Sequence, residues 1–208
     1  NIYKTYIQTS RSYTSPSKGN LGWKEVPMPK IIQTRPSSNE DVSSEKYQKN
    51  DYLIAARTGY FNQAKNHGIL KLYSEGGHEI SSEEIRQIPD LDPTLVKAIC
   101  IQESHAALTS SDIMTSNNPG DWGDGKLKSA YGMKKKEKMS VTNSLYYGIR
   151  ILATKGFKGG VKYDKKTGET SYEFKGWGNA TNNFNGGGVR NYQNDVETMV
   201  RESKPRKR

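Results

Sequence analysis

The sequence predicts a mainly α protein of the α+β class with one small β-hairpin, and two kinds of pattern indicate this. Apolar residues recur at the spacing of amphipathic helices in four ranges. These ranges are 46–67, 93–107, 141–152 and 189–200. Two alternating runs within 161–174 surround a turn-forming segment at 164–168, which is typical of a hairpin. Residues 1–45 lack both periods and are rich in Ser, Thr, Lys and Pro. We therefore expect an irregular N-terminal arm or linker over 1–45 and a folded domain over 46–208.

The first expected elements are two short strands within the arm, over 3–9 and 30–34. A helix follows over 46–67, where apolar and aromatic residues share one face and Gly68 can end the last turn. A serine pair followed by two glutamates, at 81–84, then begins a short helical turn.

The next helix carries the most informative residue of the chain. Asp92 can cap this helix and Pro93 fits its first turn. Glu103 is spaced from Ile99 and Val96 so that it extends the apolar face. A carboxyl group on such a face loses hydration, which raises its pKa, and a glycosidase general acid must keep its proton near neutral pH. The alternative is a helix-end Glu that reaches solvent or pairs with a lysine.

The later part of the chain alternates helices with polar, Gly-rich loops. A helix is expected to begin at Val141 and end near Gly156, and the hairpin and the last helix follow it. The loops contain carboxylates, aromatics and amides, which can hydrogen-bond sugar hydroxyls and stack on sugar rings. These residues are Asp121, Trp122, Asp124, Tyr131, Glu137 and the Asn-rich segment 182–188. A helix-borne acid followed by such loops suits polysaccharide cleavage, although each loop taken alone is a common turn sequence.

Several of these segments resemble motifs of the goose-type lysozymes and related lytic transglycosylases of glycoside hydrolase family 23. Glu103-Ser104-His105-Ala106, with Pro93 upstream, is similar to the catalytic helix of that family. The other similar segments follow in family order within about 91–203, and they are Trp122-Gly123-Asp124-Gly125, Tyr131-Gly132-Met133, Gly148-Ile149-Arg150-Ile151-Leu152, Phe184-Asn185-Gly186-Gly187 and Tyr192-Gln193-Asn194-Asp195-Val196. Glu137 stands where goose-type enzymes carry a second aspartate.

The resemblance implies that 46–208 is a lysozyme-like catalytic domain that cleaves the β-1,4 bond between N-acetylmuramic acid and N-acetylglucosamine in peptidoglycan. Glu103 would be the general acid, and an acid about 6.5–9.5 Å away would hold the attacking water. Asp124 is the first candidate for that acid, Glu137 the second and Asp121 the third. Tyr192 would hydrogen-bond near Glu103. The remaining expected sugar-site residues are Tyr131, Met133, Phe184, Asn185 and His105, the last with a structural role as the alternative.

Composition limits the partners. The formal net charge of +10 and the pI of about 9.5 favour polyanions, among which the bacterial wall and nucleic acid are candidates. The basic runs 134–138 and 204–208 are expected to be a solvated loop and a frayed terminus. The one cysteine, Cys100, excludes an intrachain disulfide, and the three histidines lack metal-ligand spacing, so no metal or other cofactor is expected. No apolar run is long enough to cross a membrane.

Three competing functions stay open. A lytic transglycosylase would use the muramic acid 6-hydroxyl in place of water and form an anhydro sugar. A non-catalytic wall-binding module would need no buried acid, and a nucleic-acid-binding domain would carry a recognised motif, which this sequence lacks. The biological role expected is an antibacterial toxin, such as the C-terminal domain of a type VI secretion effector, delivered to the periplasm of a target bacterium; a phage lysin is the alternative. A toxin implies an immunity protein and a carrier in the secretion apparatus as partners.

Overall fold

The computed structural model describes residues 12–13, 26–117, 123–186 and 188–206. Within these residues the fold is mainly α with short antiparallel strand pairs, which confirms the predicted class. The helices are a 3-10 helix at Glu45–Gln48, then α1 Asp51–Asn66, α2 Ser82–Arg86, α3 Pro93–Ser104, α4 Gly125–Ala130, α5 Val141–Lys155, α6 Trp177–Phe184 and α7 Tyr192–Arg201. The strands pair in sequence order, β1 Ser12–Tyr13 with β2 Val26–Pro27, β3 Thr34–Arg35 with β4 Glu40–Asp41, and β5 Val161–Tyr163 with β6 Thr170–Tyr172.

Helix α3 lies at the centre of the fold, between α1 and α7. The Asp92 side chain accepts a hydrogen bond of 2.7 Å from the backbone of Thr94, and Pro93 occupies the first turn, as expected. The helix ends at Ser104 and not at the predicted residue 107, because three consecutive residues from His105 onward adopt positive φ angles. The Ser104 hydroxyl supports this turn by accepting a hydrogen bond of 3.0 Å from the backbone of Ala107.

Helix α5 packs behind the loop that follows α3. The Ser140 side chain caps its first turn through a 3.1 Å hydrogen bond from the backbone of Asn143, and Gly156 follows its last residue, as the sequence predicted. A Cβ atom at Gly148 would lie only 2.7 Å from the Met114 side chain. Glycine is therefore required at this position for Met114 and its loop to approach α5.

Two helices were not predicted from the sequence. Helix α6 reads Trp-Gly-Asn-Ala-Thr-Asn-Asn-Phe, and Gly, Asn and Thr have low helix propensity. The helix forms because it packs on α5 and buries Ala180, so tertiary contact overrides local preference. Helix α4 is only one and a half turns long, too short for a periodic pattern.

The N-terminal segment from residue 30 to 45 belongs to the same hydrophobic core as the helices. Ile32 and Val42 are fully buried there, and the backbone of Lys30 donates a 3.0 Å hydrogen bond to the Thr94 hydroxyl. The boundary predicted between 45 and 46 therefore does not separate two packing units. The strand predicted over 30–34 is shorter than expected, since the structure has a strand at Thr34–Arg35 and an isolated bridge at Ile31. The strand predicted over 3–9 lies outside the described residues.

The described part of the C-terminal basic run, residues 204–206, is anchored, contrary to the frayed end expected for the run. The backbones of Ile31 and Lys204 exchange two hydrogen bonds of 2.8 Å, and Arg206 pairs with the buried carboxylate of Asp51. Asp51 also pairs with Lys97 of α3 at 2.8 Å, and both side chains are buried. A buried carboxylate is costly unless cations satisfy it, which explains why the basic tail is held here. The other basic run, 134–138, is exposed as predicted.

Candidate active site

Glu103 lies one residue before the end of α3, with its side chain half-buried at the edge of a cleft. Burial raises the pKa of its carboxyl group above the ordinary value of 4.5, and the negative charge of Asp112 acts in the same direction. Hydrogen bonds from Tyr192 and Thr115 act against this shift without cancelling it. The environment therefore favours the protonated carboxyl.

Tyr192, the first residue of α7, is the nearest fixed partner of this carboxyl group. Its hydroxyl donates a 2.6 Å hydrogen bond to Oε1 of Glu103, as expected from the sequence. Burial and the neighbouring Glu103 carboxylate raise the pKa of Tyr192 above its usual value, so the phenol keeps its proton and acts as a donor. Glu103 is thus held by a second helix.

A loop after α3 supplies a contact that sequence reasoning missed. Thr115 lies in the cleft and hydrogen-bonds Glu103, with a backbone φ of 51°. A positive φ is strained for a β-branched residue, so the surrounding loop must hold it in place. Asp112 organises this loop. Its carboxylate accepts four hydrogen bonds of 2.6–2.8 Å from Ser116, Asn117 and Ser144. The signal available in the sequence was the pattern of Asp followed by Ser and Asn, which is typical of side-chain-stabilised turns.

The cleft has a volume of about 270 Å³. It brings together the side chains of residues that are distant in sequence, on α3, on the loop before α4, on α5 and at the end of α6. The lining side chains include Glu103, Thr115, Asp124, Lys155, Phe184 and Asn185.

Asp124 is the sequence-predicted second acid that the structure places in this cleft. It lies immediately before α4 with a φ of 58°, and its side chain is 33% exposed. Its carboxylate is 2.8 Å from Nζ of Lys155, which is also 2.8 Å from Glu75. Burial alone would lower the pKa of Lys155, but its hydrogen bonds to Asp124 and Glu75 raise it above its ordinary value. The cleft therefore contains a carboxylate joined to a charged lysine.

The second acid candidate is not brought together with Glu103. Glu137 is exposed and does not line the cleft; its carboxylate accepts a 3.1 Å hydrogen bond from the backbone of Lys134. Asn117 binds the carbonyl oxygens of the same two residues, at 2.8 and 3.1 Å, so this segment is a closed turn. Asp121 lies outside the described residues, as does its neighbour Trp122.

Three of the predicted sugar-site residues line the cleft or lie directly behind its wall. Phe184 and Asn185 line the cleft, where the Asn185 amide donates a 3.1 Å hydrogen bond to the carbonyl of Val189. Met133 is buried beside Leu127 and Ile151, so it supports the wall of the cleft from behind.

Two further candidates face away from the cleft. Tyr131 packs edge-on against Tyr73 with ring centroids 5.1 Å apart, and it lines a different cavity. His105 follows α3, and its Nε2 atom lies 3.0 Å from Arg35 Nη1 and 3.3 Å from Glu40 Oε2. Both residues have structural partners, and this is the alternative that the sequence left open for His105.

No group of His, Cys, Asp and Glu suited to a metal ion occurs among the described residues. Burial raises the pKa of the Cys100 thiol well above its ordinary value, which makes it unreactive. The described helices include none that is long and apolar enough to cross a membrane. Comparison of the chain with protein-family models, with curated proteins and with solved structures gave no match.

Proposed function

We propose that the protein is a muramidase that hydrolyses the β-1,4 bond between N-acetylmuramic acid and N-acetylglucosamine. The observation that carries this proposal is the Glu103 carboxyl group, whose burial raises its pKa in a cleft that also holds Asp124. Glycosidases place two carboxyl groups in one cleft in different surroundings, so that one acts as the general acid and the other as the general base.

In the proposed reaction Glu103 gives its proton to the glycosidic oxygen, and the departing sugar leaves with a free hydroxyl group. A water molecule attacks the anomeric carbon and passes a proton to the Asp124 carboxylate. Glu103 becomes negatively charged in this step, and the Tyr192 and Thr115 hydroxyls then bind a carboxylate, which is the stronger acceptor. They therefore stabilise the product state of the proton transfer.

The rest of the cleft suits a sugar polymer. Phe184 offers an aromatic face and Asn185 an amide near Glu103. The net charge of +10 attracts a polyanionic wall over long range. An antibacterial toxin domain, with an immunity protein and a secretion carrier as partners and the periplasm of the target bacterium as its place of action, is the biological role we infer from this activity.

A lytic transglycosylase is the second candidate, and one contact favours it. Nζ of Lys155 is 2.8 Å from Oδ2 of Asp124, and this ion pair occupies a carboxylate oxygen that would otherwise hold the attacking water. Transglycosylation needs no water-activating base, because the muramic acid 6-hydroxyl attacks within the substrate.

Mass analysis of the fragments released from purified peptidoglycan tests the proposal. Hydrolysis gives reducing N-acetylmuramic acid ends, whereas transglycosylation gives 1,6-anhydro ends. Release of neither product by folded protein, under conditions in which a known muramidase digests the same wall, contradicts both readings.

A further inference from the structure

A second cavity, of about 310 Å³, lies beyond the wall of the cleft and has no role in the proposed reaction. Four tyrosines and two cations line it. They are Tyr60, Lys71, Tyr73, Tyr131, Tyr146 and Arg150.

Arg150 is the unusual member of this set. Its side chain is on α5, and the residue is only 6% exposed. The guanidinium lies 3.6 Å from the centroid of the Tyr146 ring, and Nη1 donates a 2.9 Å hydrogen bond to the Tyr146 carbonyl. Within the described part of the chain, no carboxylate lies within 4.0 Å of it.

Three other buried cations of this protein have such a partner. Lys65 pairs with Asp90 at 2.7 Å, Lys97 pairs with Asp51, and Lys155 pairs with Asp124. Burial of a charge is costly unless an opposite charge or several hydrogen bonds satisfy it. A guanidinium carries five N–H donors in a planar fork that matches a carboxylate, so an anion entering this cavity would complete the pairing of Arg150.

The remaining walls determine what kind of anion fits. Tyrosine rings pack well against apolar or planar groups, while their hydroxyls bind polar ones. Lys71 stands at the rim with its side chain 69% exposed. A small hydrated ion would leave the tyrosine rings unused, whereas a carboxylate attached to an organic group would use both features.

The cavity is close to the cleft because both share two helices. Asp124, immediately before α4, and Lys128 border the cleft, while Ala130, at the end of α4, borders the second cavity. A helix of this length spans roughly 9 Å. On α5, Tyr146 and Arg150 face the cavity, and Ile151 and Lys155 face the cleft. The second cavity and the cleft therefore lie on neighbouring faces of the same two helices.

We propose that this cavity binds a carboxylate of the peptide stem of peptidoglycan, with Arg150 holding the carboxylate and the tyrosine rings packing against the peptide. The identity of the ligand rests on the proposed muramidase function, because the peptide stem is the carboxylate-bearing substituent of that polymer. The site would place a cross-linking substituent to one side while the glycan strand occupies the cleft.

Calorimetric titration of the wild-type protein with three small ligands tests this site. They are an N-acetylmuramoyl peptide with free carboxylates, the same peptide with its carboxyl groups amidated, and N-acetylmuramic acid alone. None contains the bond that Glu103 would cleave. Amidation should weaken binding about 10-fold or more, since a charge-assisted pair is lost. Equal affinity for the two peptides, or binding of neither, overturns the proposal. Equally tight binding of N-acetylmuramic acid overturns the peptide stem as the source of the carboxylate.

Protein variants locate the effect. Arg150→Lys keeps the charge but loses the planar fork, so binding of the free peptide should weaken about 10-fold while the amidated peptide is unaffected. Lys71→Gln, at the exposed rim, should weaken it about 2- to 5-fold. Lys162→Gln is the matched control, because it removes an equally exposed charge from β5 away from the cavity, and it should bind as the wild type does. Should Arg150→Lys fail to fold, Lys71→Gln and the amidated ligand still decide the outcome.

The two proposals fail separately. If the protein cleaves peptidoglycan but binds the free and the amidated peptide equally, the muramidase proposal stands and the proposed carboxylate site is wrong. Binding that depends on Arg150 and on the free carboxylate, without cleavage of the wall, retains the site and removes the muramidase.

Discussion

The hydroxyl of Tyr192 donates a 2.6 Å hydrogen bond to Oε1 of Glu103, and this contact joins the first residue of α7 to the end of α3. The two residues are 89 positions apart in sequence. Burial raises the pKa of Glu103 and Tyr192 lowers it, so this contact is one of those that set the pH at which the carboxyl group holds its proton.

Replacing Glu103 with Gln should lower the rate of peptidoglycan cleavage by roughly 100-fold or more, the range of general acid catalysis. The amide keeps the shape of the side chain but cannot donate a proton in the same way. Cleavage is followed by release of soluble fragments, and circular dichroism checks the fold. Glu169→Gln, an exposed change in the hairpin turn, is the control and should cleave normally. Near-normal turnover by Glu103→Gln would rule out Glu103 as the acid.

Replacing Tyr192 with Phe should move the alkaline limb of the pH–rate profile to higher pH. Activity is lost as pH rises through the pKa of the acid, and the hydroxyl of Tyr192 lowers that pKa in the wild type. Loss of this hydrogen bond should also cost about 1–2 kcal/mol of unfolding free energy. The profile is measured on a soluble glycan fragment, so that wall binding does not affect it. A limb that stays in place or moves to lower pH contradicts this role for Tyr192.

The sequence placed Glu103 and its partner Tyr192, but not the loop residues that also act on Glu103. Asp92 and Pro93 define the start of α3 and the apolar spacing places Glu103 on its buried face, so the position of Glu103 follows from short-range pattern. The position of Thr115 requires a positive φ angle, and that of Asp112 requires a loop that closes against Ser144 of α5. The spacing of apolar residues in the sequence indicates neither feature. The sequence also gave no sign of which distant segments pair with one another.

Arg206 is an example of a contact between distant segments. It pairs with Asp51, which is 155 residues away, and a basic terminus gives no local sign of such a partner. Helix α6 was missed for a related reason, because its polar composition disfavours a helix until Ala180 packs against α5. The fold class and the position of Glu103 therefore follow from local pattern, whereas the cleft beside Glu103 depends on tertiary contacts.

Replacing Asp112 with Asn should move the alkaline limb in the direction opposite to Tyr192→Phe. The Asp112 charge raises the pKa of Glu103, so removal of that charge lowers it and activity is lost at lower pH. The amide cannot accept all four hydrogen bonds that the carboxylate accepts, and we expect a loss of about 1–3 kcal/mol in unfolding free energy. The double variant with Tyr192→Phe should have an intermediate profile, and a shift in the same direction for both single variants would exclude this electrostatic account.

Replacing Asp124 with Asn tests which acid positions the water. Asp124 lines the cleft and Glu137 does not, so Asp124→Asn should lower hydrolysis by roughly 100-fold while Glu137→Gln changes it much less. Fragments left by Asp124→Asn should shift toward anhydro ends if the muramic acid hydroxyl then competes with water. Mass analysis reports both rate and product. A severe loss in Glu137→Gln, with Asp124→Asn unaffected, would transfer the role to Glu137.

The raised pKa of Glu103 also predicts how stability depends on pH. Below the unfolded value near 4.5 the carboxyl group is protonated in both states, and its contribution to stability is fully present. As pH rises through the higher folded pKa, the folded protein must ionise a half-buried group, and that contribution is lost. The amide of Glu103→Gln stays neutral at every pH. Its unfolding free energy should therefore gain on that of the wild type from about pH 4.5 upward, by at most about 1.4 kcal/mol per pH unit, and then level off above the folded pKa. Denaturant titrations at a series of pH values measure the difference, with Glu169→Gln as the variant that should show no such rise. A difference that is constant with pH, or that grows in favour of the wild type, would show that the carboxyl group is not held in its protonated form.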